Sequence, residues 1–153
     1  MMEEKYIKGI LLLGGEKPKV IKVENALNSL CKLLDCHLAE FIKRKTHSNF
    51  NSSNLGVDIT IICDEEGLLK GRKIAPSGFL FDEKEGTFKE VLLGAIFICD
   101  TDNEGNLISL SEEKIEKVIE SIRETKFGDV EYIEDGFGNT LLPSGSALIY
   151  SVC

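Results

Sequence analysis

An apolar run ending in Cys-Asp, followed by an acidic turn that closes on Glu-Gly, occurs twice in this chain. The first copy is Ile61-Ile62-Cys63-Asp64-Glu65-Glu66-Gly67-Leu68. The second is Phe97-Ile98-Cys99-Asp100-Thr101-Asp102-Asn103-Glu104-Gly105-Asn106-Leu107-Ile108. Each reads as a β-hairpin, because a β-rich run meets a turn in which glycine can take positive φ and an apolar residue then returns. Strands that pair with their sequence neighbours point to a largely antiparallel sheet.

The remaining pattern adds strands and two helices. Residues 7–13 alternate and then run apolar to Gly14-Gly15, with residues 20–23 as the hairpin partner. Asn25 is placed to cap a helix whose apolar stripe is Ala26, Leu27, Leu30, Cys31, Leu33 and Leu34, ending near Asp35-Cys36. Residues 37–43 predict a short strand, 46–54 a long polar loop, and 57–63 a buried strand. Residues 91–99 predict one strand with 107–110 as its returning arm. Ser111 then caps a second helix with Glu112 and Glu113 in its first turn and Ile115, Val118, Ile119 and Ile122 as its stripe. Residues 130–133 and 148–152 predict two further strands. The expected fold class is α+β: a largely antiparallel mixed sheet built from hairpins with two covering helices, in a single domain over residues 1–153.

The five cysteines, Cys31, Cys36, Cys63, Cys99 and Cys153, are odd in number and mostly lie in apolar runs, as reduced structural thiols do. The acidic start lacks the basic-then-apolar order of a signal peptide, and no run approaches the roughly 18 apolar residues of a membrane span. A cytoplasmic protein without a membrane partner is expected. Net charge is −8, and all of the excess lies after residue 99, where 12 acids face Lys114, Lys117, Arg123 and Lys126. That end would repel a polyanion, so duplex nucleic acid is not an expected partner.

Several features together carry a family resemblance. They are the helix after Val23-Glu24-Asn25, the hairpin Cys63-Asp64-Glu65-Glu66-Gly67-Leu68-Leu69-Lys70-Gly71, the glycine-led strand Leu93-Gly94-Ala95-Ile96-Phe97-Ile98, and Asn103-Glu104-Gly105-Asn106-Leu107-Ile108-Ser109-Leu110 running into a helix. In this order they resemble the domain of unknown function 3846, small proteins of bacteriophages and conjugative elements, over about residues 7–123. Where family members carry an Asn-Arg pair after the first acidic hairpin, this chain has Lys73-Ile74-Ala75-Pro76, and the strands of 128–153 look additional. The resemblance implies a protein acting inside an infected or recipient bacterial cell. It implies no activity.

The residues argue for binding rather than catalysis. There are two histidines, no Gly-x-Ser-x-Gly, no phosphate loop and no His-Glu-x-x-His. Asp100, Asp102 and Gly105 echo the first half of a calcium loop, but position twelve is Ser111, and an acidic β-turn is the preferred reading. Cys31, Cys36 and His37 lack the paired spacing of a zinc site. No metal or cofactor is expected.

Two basic clusters stand out in the neutral part of the chain. Lys43, Arg44 and His47 run into a loop holding Asn49, Phe50 and Asn51, while Lys70, Arg72 and Lys73 flank a glycine. Ammonium and guanidinium groups suit phosphate, and asparagine and phenylalanine suit a base. If the clusters converge, they form an anion site away from the acidic end. The leading expectation is therefore a non-enzymatic protein that sequesters a phosphorylated (cyclic) nucleotide signal as a counter-defence of a mobile element. The alternative is an acidic inhibitor that mimics nucleic acid and binds a host defence protein through Asp100, Asp102, Glu104, Glu112, Glu113, Glu116 and Glu120. A nucleotide-cleaving enzyme is a third reading. Exposed strand edges in the tail are compatible with a homo-oligomer.

Overall fold

The structure, a computed structural model, describes residues 5–13, 17–46, 57–65, 78–82, 87–92, 94–125, 133–134, 140–141 and 145–152. Its strands are β1 (Tyr6–Leu12), β2 (Lys19–Glu24), β3 (Ala39–Thr46), β4 (Asp58–Asp64), β5 (Gly78–Asp82), β6 (Thr87–Leu92), β7 (Ile96–Thr101), β8 (Leu107–Ile108), β9 (Ile122–Thr125), β10 (Ile133–Glu134), β11 (Thr140–Leu141) and β12 (Gly145–Val152). The helices are α1 (Leu27–Leu34) and α2 (Glu112–Ser121). The main sheet runs β2-β1-β7-β4-β3-β12-β5-β6, with β8 added to β7 and β9 to β12, while β10 and β11 pair separately. Its pairs are antiparallel except β12 with β5, so the expected α+β class with a largely antiparallel mixed sheet is what the chain forms.

Strand alternation sorts the core onto two faces. Ile10 and Leu12 of β1, Ile42 of β3, Ile59, Ile61 and Cys63 of β4, and Ile96 and Ile98 of β7 pack with Leu110, Ile115 and Val118 at α2. Strand residues of the opposite parity, Ile7, Ile62, Phe97 and Cys99, pack instead with Leu30 and Leu34 of α1. Each helix therefore covers one face of the sheet. Central strands covered on both faces read as continuous apolar runs, which is why β4 and β7 show no alternation in sequence.

The helix ends follow from local chemistry. Ser111 Oγ accepts the Lys114 N–H at 3.2 Å and so caps α2 as expected. α1 departs from expectation, because Ala26 precedes it with no side-chain cap. Asn25 instead donates from Nδ2 to the Leu107 carbonyl at 3.4 Å, tying the start of α1 to β8. At the other end Asp35 takes φ 51°, and the Cys36 N–H reaches back to the Cys31 carbonyl at 2.9 Å, closing the helix with a left-handed stop.

The strand predicted over residues 91–99 is two strands. Gly94, at φ 82°, turns the backbone between β6 and β7, so one apolar stretch serves two places in the sheet. The second Cys-Asp copy forms the predicted hairpin, with Asp100 opposite Ile108 and Thr101 opposite Leu107. The first copy is described only through Glu65, and its returning arm lies outside the described residues. Because β4 and β7 are antiparallel neighbours, Asp64 and Asp100 lie toward opposite ends of the sheet.

Candidate functional site

On the α1 face the short helix leaves part of the sheet uncovered. Pairing places Lys43 of β3 opposite Thr60 of β4, and Thr60 opposite Cys99 of β7. Period-two alternation then puts Phe41, Lys43, Thr60 and Thr101 on one face. They line a recess of about 420 Å³. Its far wall is the turn of the second acidic hairpin, Gly105 to Leu107, and Asn25 closes it beside the start of α1.

The floor is a hydroxyl pair. Thr60 Oγ1 and Thr101 Oγ1 are 2.5 Å apart, and Thr60 is only 2% exposed. One hydroxyl donates to the other, which leaves the second hydroxyl proton for an occupant. Phe41 is 46% exposed, unusual for an aromatic side chain on an otherwise packed strand, and its ring forms a wall.

The rim is rigid. Asp102 Oδ1 accepts the N–H groups of Glu104 and Asn106, each at 2.9 Å, and Oδ2 accepts from Asn106 Nδ2 at 3.2 Å. The Asp102 N–H donates to the Asn106 carbonyl at 2.9 Å, and Gly105 supplies the φ of 89° that the turn requires. The hydrogen bond from the Asn106 amide, with those from its side chain, Glu104 and Gly105, holds the Asp102 carboxyl below its ordinary range. Asp102 is thus a turn-former.

Of the residues predicted for phosphate and base, Lys43 enters the recess. Arg44 is its neighbour on an extended strand and falls on the opposite face, with Nη1 donating to the Lys43 carbonyl at 2.9 Å. His47, Asn49, Phe50, Asn51, Lys70, Arg72 and Lys73 lie outside the described residues. Nor is Lys43 remote from the acidic end. Antiparallel pairing through β3, β4 and β7 brings it to the same end of the sheet as Thr101.

The acids of the alternative surface are mostly engaged. Asp100 pairs with Lys114 at 2.7 Å, Glu112 with Lys8, and Glu113 with Lys117 at 3.4 Å. Asp102 is committed to its turn, while Glu104, Glu116 and Glu120 are exposed. Among the described residues no group of three His, Cys, Asp or Glu side chains could hold a metal. Cys36 is buried in the α1 layer with Cys31 packed against it. A second hollow of about 570 Å³ runs along the outer side of α1 past Leu27, Lys32, Asp35 and His37, where opposite charges offset one another.

Sequence reasoning missed Phe41, Thr60, Thr101, Asn106 and Asn25 as site residues. The signal open to it was the Phe41-x-Lys43 step, which puts an aromatic ring and a cation on one face of a strand that faces Thr60.

The family model for the domain of unknown function 3846 matches residues 7–123. Neither a search of curated proteins nor one of solved structures found a match. Among the described residues no helix is long and apolar enough to cross a membrane.

Proposed function

The chain belongs to the domain of unknown function 3846 family, and from that premise we propose that it is a non-enzymatic binding protein that sequesters a phosphorylated nucleotide in the recess floored by Thr60 and Thr101. The observation that carries this reading is the placement of Phe41 and Lys43 on the same wall, two residues apart on β3. Two residues of strand separate them by roughly 7 Å, a span on the scale of a base and its phosphate. The ring offers a stacking surface, the ammonium meets the phosphate, and the hydroxyls and amides between them supply donors and acceptors. The described lining groups are amides, hydroxyls, one ammonium and apolar surface, a set suited to holding a ligand. Counter-defence inside a bacterial cell belongs to the same proposal and rests on the family's occurrence in bacteriophages and conjugative elements.

The test is native mass spectrometry on the full chain with a panel of cyclic and linear nucleotides. A stoichiometric adduct released unchanged, and weakened in Lys43→Glu, supports sequestration. An altered ligand would make the protein an enzyme. No adduct across the panel, together with loss of a protein partner in Glu116→Lys, would favour the acidic inhibitor instead.

A further inference from the structure

The polar side chains lining this recess are mostly uncharged amides and hydroxyls. Among the described lining residues Lys43 is the one cation. An exposed ion pair is worth no more than a few-fold in affinity. Stacking on an aromatic ring and a two-point amide contact are each worth roughly tenfold or more.

Asn106 is the residue able to make that two-point contact. Its backbone N–H and one side-chain N–H are both held by the Asp102 carboxylate, at 2.9 and 3.2 Å. The amide plane is thereby set before any ligand arrives, and its second N–H and Oδ1 remain to be used. A donor beside an acceptor complements the amino group and neighbouring ring nitrogen of adenine. Guanine presents two adjacent N–H donors, which a carboxylate would satisfy, and among the described residues none lines the recess.

We infer that the recess is an adenine site, with Asn106 reading the base edge, Phe41 stacking on the ring, and Asp102 acting as a positioning residue for Asn106. This rests on the nucleotide-binding reading and specifies which part of the nucleotide is recognised.

Isothermal titration calorimetry of the full chain with adenosine, AMP, GMP and ribose 5-phosphate tests it. Adenosine should bind within about tenfold of AMP, GMP about tenfold or more weakly than AMP, and ribose 5-phosphate weakest of all. Asn106→Leu should bring the AMP to GMP ratio close to one. Asp102→Asn, which cannot accept from the Asn106 side chain in the same way, should lower that ratio while leaving adenosine and AMP close together. Because each readout is a ratio, a fraction of misfolded variant does not alter it. AMP and GMP binding equally, or a ratio unmoved by Asn106→Leu, would overturn the adenine assignment and leave nucleotide binding standing. Ribose 5-phosphate binding as well as AMP would overturn both readings, because the base would then add nothing on the Phe41 ring. Failure of all four ligands to bind would overturn the adenine assignment, and failure of the cyclic and linear nucleotide panel as well would overturn the nucleotide reading.

Discussion

The Lys114 ammonium lies 2.7 Å from Asp100 Oδ2 and also donates to the Asp58 carbonyl at 3.0 Å, so a single side chain of α2 ties the end of β7 to the start of β4. The Asp100 side chain is only 18% exposed. Truncating Lys114 would therefore leave a largely desolvated carboxylate without its cation. Lys114→Met is expected to destabilise the protein by about 1–2 kcal/mol, seen as a lower urea midpoint with an unchanged slope.

Gly9 lies where β1 meets β7. A Cβ there would come within 2.3 Å of the Ile98 carbonyl oxygen and 2.6 Å of the Phe97 ring. Neither the backbone nor a fully buried ring can give way cheaply. Gly9→Ala should cost about 1–3 kcal/mol and lower the thermal midpoint.

Burial, with a smaller contribution from the Asp100 charge, pushes the Cys99 thiol up to about 12 from its ordinary value of 9.0. In the folded protein it stays protonated while the unfolded chain ionises. Its contribution to stability is thus complete below about pH 9 and is lost as pH rises toward 12. Native protein treated with iodoacetamide at pH 8 should be alkylated at the partly exposed Cys31 and spared at Cys99, Cys63 and Cys36, as peptide mapping would show.

Asp102 behaves in the opposite sense. Its carboxyl is held below the ordinary value of 3.8, so the turn is stabilised above that pH and loses the contribution as pH falls beneath it. Chemical-shift titration of Asp102 should place its midpoint below that of an unstructured aspartate. The Asn106 amide signal should move with the same midpoint.

Alternation on β3 separates two adjacent cations. Lys43→Ala should weaken nucleotide binding a few-fold, whereas Arg44→Ala, on the α2 face, should leave it unchanged. Titration calorimetry with AMP decides the matter, and equal effects would contradict the placement of the site.

Much of the sheet was legible because hairpins leave local marks. The β1–β2 pair, the β7–β8 turn, the Ser111 cap and the end of α1 near Asp35 each follow from residues within one short stretch. The strand break at Gly94 was not legible, since the apolar pattern continues on both sides of it and only pairing shows that β6 and β7 have different neighbours. The site was legible in part. Lys43 stood out by charge, but charge alone grouped it with Arg44, and strand period separates them. Phe41, Thr60 and Thr101 lie on three different strands, so their meeting depends on a sheet order that sequence neighbours do not reveal.

β12 lies between β3 and β5 although it follows every other strand in the chain. It is antiparallel to β3 and parallel to β5, so it joins two parts of the sheet that have no direct pairing with each other. During synthesis Arg44–Thr46 of β3 gain their second strand neighbour only when a segment about a hundred residues later is made. A protein clipped ahead of β12 would therefore leave that end of β3 as an open strand edge, a template for pairing with another chain.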